Sequence, residues 1–317
     1  MRTCFFALST FILAWGAPAQ RDRDTIAARA ERQPEAKDTW SIGIYTGASP
    51  FQLSEPKNVT NPVLTPADVT DFPVNIVAHP FMIIVGSRYY LFFTAKNDVS
   101  GEVSGIGLAE SSNGADWHYR RIVLKEPFVL SYPYVFKYQN DYYMIPESYT
   151  EKFVRLYRAT EFPYKWMHEK DLLTGDNFIS ASVVEYAGMW WMFVGRLGNE
   201  TLRLFYANDL KAQWKDHPRS PIVAKDPNIA RPGGRALVID GSLYRIGQDC
   251  DPTYGNQALA FRITDISTTT YKEEAGTPIV RATSRGWNAD AMHHVDLHQL
   301  GKDKWIAAVD GKGTVTK

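Results

Sequence analysis

The segment GWNADAMHHVDLHQL, residues 286–300, concentrates histidines and aspartates, the side chains that most often bind metals or move protons. If it forms a strand, alternation places His294, Asp296 and His298 on one face and His293 on the other. At about 3.3 Å per residue, His294 and His298 lie roughly 13 Å apart and cannot share one ion. His294 and Asp296 are therefore the candidate metal ligands, with partners needed from other strands, and His293 is a candidate substrate contact.

Carboxylates form a second candidate centre. Glu147 in YMIPESY follows an apolar strand and a proline, and a rigid carboxyl group with one apolar side suits a general acid. Asp249, in GQDCDPTYGNQ, and Asp290 are its candidate partners, because glycoside hydrolysis uses two carboxyl groups. The alternative is a structural ion pair between Glu147 and Arg155 or Arg196.

The elements that must position these residues repeat along the chain. An aromatic residue opens a short apolar strand after a turn five times, at spacings of roughly 50 to 60 residues. Further strand-like runs, separated by Gly, Asn and Asp, surround each copy. The five copies are GSRYYLFFT (86–94), QNDYYMIPE (139–147), AGMWWMFVG (187–195), DGSLYRIGQD (240–249) and GKDKWIAAVD (301–310).

Four strands in each of five units predict an all-β fold, a five-bladed β-propeller. The last unit lacks an outer strand, and WSIGIYTG (40–47) resembles the missing piece. We therefore expect this N-terminal strand to close the last blade and leave no open sheet edge. A β-sandwich is the alternative, because short, evenly spaced strands suit it too.

Propeller topology collects distant residues at one mouth of the central channel. The starts of the first strands and the ends of the second strands lie on the same face of the ring. The catalytic candidates Glu147, Asp249 and Asp290 belong to this set. The predicted substrate contacts there are His79, Tyr132, Arg231, Arg235, Gln248 and His293.

The N-terminus has the pattern of an export signal. Residues 1–19 combine Arg2, an apolar run and Ala17-Pro18-Ala19, which predicts cleavage after Ala19 and a secreted or periplasmic protein. Contact with a membrane is expected only if this segment stays uncleaved. Residues 20–38 are predicted to be a charged flexible spacer, and residues 39–317 a single propeller domain. The balance of 35 basic and 35 acidic side chains argues against a nucleic-acid partner.

Several long motifs resemble a known family. EPFVLSYPYVFKYQNDYYMIPESY, ARPGGR, YRIGQDCDPTYGNQ and WNADAMHHVD are similar to the N-terminal domain of plant glucosamine inositolphosphorylceramide transferase. That domain resembles the five-bladed propellers of glycoside hydrolase families 43, 32 and 68. The resemblance implies a carboxylate in each of the first two blades, where this chain has Ala78-His79-Pro80 and Ser131-Tyr132-Pro133. It also implies a central divalent cation, such as calcium, near His293 or His294.

Together these patterns favour a secreted carbohydrate-active protein, glycosidase-like, that acts on a glycan or glycoconjugate at the central mouth and requires no cofactor. Two alternatives stay open. One is a carbohydrate-binding propeller without catalysis, which His79 in place of the first-blade aspartate favours. The other is a structural interaction propeller without a sugar site.

Overall fold

Five antiparallel sheets make up the protein in a computed structural model that describes residues 37–99 and 103–315. They are arranged as a five-bladed β-propeller, which confirms the predicted fold class. The chain opens with β1 (Lys37–Ser49) and β2 (Gln52–Ser54). Two 3₁₀ helices, Pro66–Asp68 and Gly286–Asn288, are the helical elements of the described residues.

The first four blades follow one another along the chain. Blade one contains β3 (Ile76–Val85), β4 (Arg88–Asn97), β5 (Val103–Ser111) and β6 (His118–Leu124). Blade two contains β7 (Ser131–Tyr138), β8 (Asp141–Glu147), β9 (Phe153–Glu161) and β10 (Lys165–Thr174). Blade three contains β11 (Phe178–Tyr186), β12 (Met189–Arg196), β13 (Thr201–Ala207), β14 (Lys215–Asp216) and β15 (Val223–Ala224). Blade four contains β16 (Arg231–Pro232), β17 (Leu237–Ile239), β18 (Ser242–Asp249), β19 (Gln257–Ile266), β20 (Tyr271–Glu273) and β21 (Thr277–Arg281).

Blade five joins the two ends of the propeller. Its strand order is β22 (Val295–Gly301), β23 (Lys304–Val315), β1 and β2. β1 pairs antiparallel with β23 without a register shift, from Lys37 opposite Val315 to Gly47 opposite Trp305. The predicted N-terminal closing strand is therefore confirmed, and β2 adds a further strand outside it. The predicted export signal and most of the predicted spacer lie outside the described residues.

The hydrophobic core lies between neighbouring blades. Residues 131–136 of the inner strand β7 are buried without interruption, because both faces of this strand are covered. One cluster packs Phe92 of blade one, Tyr134 of blade two and Val183 of blade three together. Within the described residues, no helix has the length and apolar character needed to cross a membrane.

Closure by β1 predicts a measurable loss of stability when its core face is trimmed. Ile44 is fully buried and packs with Leu64, Ile306 and Ala308. We expect Ile44→Ala to lower the free energy of unfolding by about 2–5 kcal/mol, because it leaves a cavity between blades five and one. Urea denaturation measures this change.

The matched control is Val238→Ala, because Val238 is 44% exposed. It should change the unfolding free energy by less than about 0.5 kcal/mol. Equal stabilities for the two variants would show that β1 is not part of the folded core.

Candidate functional site

A cavity of about 330 Å³ opens at the mouth of the central channel. It is formed where inner strands begin and second strands end, as propeller topology predicts. Four predicted site residues line it together: His79, Glu147, Arg231 and His293. The other lining residues are Trp40, Ile76, Ala78, Thr94, Lys96, Val129, Ser131, Tyr149, Ile179, Leu197 and Tyr254.

Glu147 ends β8 and is surrounded by hydrogen-bond donors. It accepts bonds from the Ser131 hydroxyl at 3.0 Å and from the Ser180 backbone N–H and hydroxyl at 2.8 and 3.0 Å. An Arg231 nitrogen lies 3.4 Å away. The Glu147 carboxylate is the acceptor in each of these hydrogen bonds with Ser131 and Ser180.

The expected ion-pair partners of Glu147 were wrong. Arg155 pairs with Asp171 at 2.8 Å, and Arg196 pairs with Asp176 at 2.8 Å. Asp171 lies on β10, the outer strand of blade two, and Asp176 lies in the loop that leads to β11 of blade three.

Glu147 also holds the backbone of the next blade at a bulge, and equivalent hydrogen bonds occur at two other inner strands. His79, Tyr132 and Ser180 adopt left-handed backbone conformations, with φ of +50°, +45° and +51°, at bulges of their inner strands. Such residues cost about 1–3 kcal/mol each unless the surroundings hold them. In each case the N–H donates to a side chain of the preceding blade. These bonds are His79 to Asp310 at 2.9 Å, Tyr132 to Thr94 at 3.0 Å and Ser180 to Glu147 at 2.8 Å.

Two neutral histidines form one wall of the cavity. His293 stacks between Trp40, with ring centroids 4.0 Å apart, and His79, at 4.7 Å. Its Nδ1 lies 2.7 Å from Asp310, which orients the ring. Burial holds the pKa of both imidazoles well below the usual range, aided at His79 by His293 and at His293 by the charge of Arg231.

The predicted partner carboxylates lie outside this cavity. Asp249 is buried in a separate network and accepts side-chain amide bonds from Asn228, Asn256 and Gln257 at 2.8–3.0 Å. Burial acts to raise the pKa of Asp249, but these amide donors, led by Gln257, hold it below the usual value. Asp290 is exposed. Among the described residues that line the cavity, Glu147 is the only carboxylate.

Two of the predicted substrate contacts are buried beside the cavity and do not line it. Tyr132 is fully buried, and its hydroxyl contacts Ser182 Oγ and the Gly234 carbonyl at 2.9 Å each. Gln248 is 1% exposed and lies opposite Arg231 in the pairing of β16 with β18.

Arg235 and the predicted metal ligands also lie outside the cavity lining. Asp296 accepts bonds from Arg235 at 2.8 and 3.2 Å and from the Met82 N–H at 2.7 Å, and His298 Nε2 lies 2.9 Å away. These contacts keep the pKa of Asp296 below its usual value, with Arg235 as the main stabilising charge against burial. His294 contacts the Pro80 carbonyl through Nε2 at 2.9 Å.

The predicted ligands His294 and Asp296 do not fit a calcium ion. Calcium takes six to eight oxygen ligands, whereas a guanidinium already compensates the charge of Asp296. The candidate ligand atoms that do converge belong to His79, His293 and Asp310, within 4.8 Å of one another. Two of these three groups are imidazoles, so the cluster does not offer the oxygen-rich ligand set that calcium takes.

Aromatic residues at the rim were missed from the sequence. Trp40 comes from β1, and it reaches the mouth because β1 packs against β23. Tyr254, in the loop after β18, is 42% exposed. Its position in GQDCDPTYGNQ, directly after a second strand, is the signal that could have identified it.

Because Glu147 accepts hydrogen bonds from the next blade, its substitutions should lower stability to different degrees. Glu147→Ala removes the acceptor of a buried N–H and the acidic neighbour of Arg231, so it should cost about 3–5 kcal/mol in urea unfolding. Glu147→Gln keeps one acceptor oxygen and should cost less.

The control for this pair is Glu161→Ala, which breaks a pair with Lys165 whose side chains are 59% and 69% exposed. It should cost no more than about 1 kcal/mol. If Glu147→Ala lowered the free energy of unfolding no more than this control, the hydrogen bonds of Glu147 would not stabilise the fold as described.

Comparison with known proteins places the chain in a family. Residues 32–312 match the family model described as "Glucosamine inositolphosphorylceramide transferase 1, N-terminal". The chain is 39% identical over 303 residues to glucosamine inositolphosphorylceramide transferase 1 of Oryza sativa subsp. japonica, covering 88% of this chain and 40% of that protein. The Arabidopsis thaliana protein of the same name is 37% identical over 298 residues, covering 86% and 39%. The chain thus spans about two fifths of the curated relatives that it matches.

Solved structures support the fold. The β-1,2-mannobiose phosphorylase from Listeria innocua has a TM-score of 0.62 at 12% identity, covering 85% of this chain and 96% of that one. The GH62 α-L-arabinofuranosidase domain from Coprinopsis cinerea has a TM-score of 0.56 at 12% identity, covering 74% and 90%. The chain belongs to the family defined by the N-terminal domain of glucosamine inositolphosphorylceramide transferase 1.

Proposed function

We propose that the mouth of the propeller binds a glycan or the sugar part of a glycoconjugate, without hydrolysing it. The observation that carries this proposal is the set of buried polar atoms without a hydrogen-bond partner. His79 Nε2 and Arg231 Nε are two such atoms, and both belong to residues that line the cavity. Buried polar groups are normally paired. Sugar hydroxyls, which donate and accept, would supply such partners.

The aromatic rim supports a sugar ligand. Trp40 and Tyr254 line the cavity and are partly exposed, with ring centroids 6.4 Å apart in an edge-to-face arrangement. Aromatic rings with a polar handle can cover the apolar face of a sugar while polar groups contact its hydroxyls. The names of the plant relatives, which include glucosamine, also support a sugar-containing ligand.

Hydrolysis receives less support from the geometry. Retaining glycosidases hold two carboxyl groups about 5 Å apart and inverting ones roughly 6.5–9.5 Å apart. The described cavity lining offers Glu147 alone, and that carboxylate is bound by Ser131 and Ser180. This arrangement favours recognition over glycosidase chemistry.

Export is part of the same proposal. The support is the pattern of residues 1–19, with an apolar run ahead of Ala17-Pro18-Ala19. A protein exported in this way would meet glycans outside the cytoplasm. N-terminal sequencing of the protein from its native host tests this part, and a start at Gln20 is the expected result.

Removal of the Trp40 ring is expected to weaken glycan binding. Trp40→Ala takes away a lining ring and the stacking support of His293, so it should lower the affinity for a bound oligosaccharide at least tenfold. Isothermal titration calorimetry against a panel of neutral and acidic oligosaccharides measures this effect.

Tyr164→Ala is the matched control. Tyr164 is a partly exposed aromatic residue between β9 and β10, and it does not line the cavity. It should bind like the wild type. The proposal fails if the wild type binds no glycan on the panel, or if the two variants bind equally well.

A further inference from the structure

Three arginines place their guanidinium groups in the interior of the propeller: Arg231, Arg235 and Arg245. Two of them have a tight carboxylate partner. Arg235 contacts Asp296 at 2.8 and 3.2 Å, and Arg245 contacts Glu273 twice at 2.6 Å. Paired bonds of this kind are the usual arrangement for a buried guanidinium.

Arg231 lacks such a partner. It is 9% exposed, and one terminal nitrogen donates to the Asn199 side-chain oxygen, a neutral acceptor, at 2.9 Å. The other lies 3.4 Å from Glu147, longer than the 2.7–2.9 Å of a good charge-assisted bond. The Glu147 oxygen that it faces already accepts two shorter bonds from Ser180. The Arg231 Nε is buried and has no partner.

The rings around Arg231 do not supply a negative charge that would balance its guanidinium. His79 and His293 are neutral, because burial lowers the pKa of both rings. Tyr254 presents its ring face to the guanidinium, 5.4 Å from the ring centroid. Among the described lining residues, Glu147 is the only carboxylate, and it lies 3.4 Å from the Arg231 guanidinium. A poorly hydrated guanidinium without a tight counter-ion attracts an anion.

We infer that the ligand of the mouth is an acidic saccharide, whose carboxylate or phosphate group is bound by Arg231. This inference rests on the proposed glycan-binding function and specifies its ligand class. The planar guanidinium matches both oxyanions, since each offers two acceptor oxygens to adjacent N–H groups. The sugar ring then lies toward the aromatic rim.

Matched ligand pairs test the inference on the wild-type protein. The first pair is a galacturonic acid oligosaccharide and a galactose oligosaccharide of equal length. The second is glucose 6-phosphate and glucose. Titration calorimetry should show at least tenfold tighter binding of the acidic member in one pair or both. A preference in one pair identifies that pair's acid group, carboxylate or phosphate, as the one recognised.

Variants test whether Arg231 is the residue responsible for the preference for acidic saccharides. Arg231→Gln should reduce the acidic-to-neutral affinity ratio to near one, and Arg231→Lys should leave an intermediate ratio because it keeps the charge without the planar fork. Arg196→Gln is the control, because Arg196 is a half-exposed cation outside the cavity lining. It should keep the wild-type ratio. Thermal melting confirms that each variant is folded.

The failures are distinguishable. Equal binding of acidic and neutral members by the wild type overturns the acidic ligand and leaves glycan binding intact. A preference that survives Arg231→Gln, or one lost in Arg196→Gln, overturns the assignment to Arg231. If no saccharide of either kind binds, the proposed function fails and this inference fails with it.

Discussion

The mouth of this propeller depends on a hydrogen bond between adjacent blades. A left-handed residue near the start of an inner strand donates its N–H to a side chain from the second strand of the preceding blade, as His79 does to Asp310 and Ser180 to Glu147. The bond holds a backbone conformation that is otherwise unfavourable by about 1–3 kcal/mol. It also fixes where the side chains of these residues lie. Blade packing and site geometry are therefore set by the same contacts.

Ring closure brings the N-terminal strand into the same site. Because β1 pairs with β23 along its length, Trp40 reaches the cavity and stacks on His293. His293 is held in turn by Asp310, which also accepts the N–H of His79 in blade one. Blades five and one thus share one buried carboxylate at the seam of the ring. Loss of closure would disturb the stacked Trp40, His293 and His79 rings as well as the core.

Much of this arrangement follows from sequence periodicity. The repeated strand pattern predicts five blades, and the rule for strand ends places His79, Glu147, Arg231 and His293 at one mouth. The sequence could not show how deeply each side chain lies in the channel or which way it points. Arg235 lies four residues beyond Arg231 along the inner segment, so it sits deeper and meets Asp296.

The surroundings of Asp249, the last residue of β18, could not be predicted from sequence patterns either. Asp249 faces the amides of Asn228, Asn256 and Gln257, and these partners come together only in the folded chain. For the same reason the donor-rich surroundings of Glu147 could not be read from YMIPESY: Ser180 lies 33 residues away in the next blade. Side-chain roles that depend on neighbours from other blades need the structure.

Under the proposed function, this mouth recognises glycans, and Glu147, the one carboxylate in the described part of its lining, stabilises the bulge at Ser180. Release of reducing ends from a glycan that binds saturably to the wild type tests it most directly. No release above the protein-free control is expected over prolonged incubation. Release by the wild type that Glu147→Gln abolishes, while that variant still binds the glycan and stays folded, would rule out a purely binding site and make Glu147 a catalytic residue.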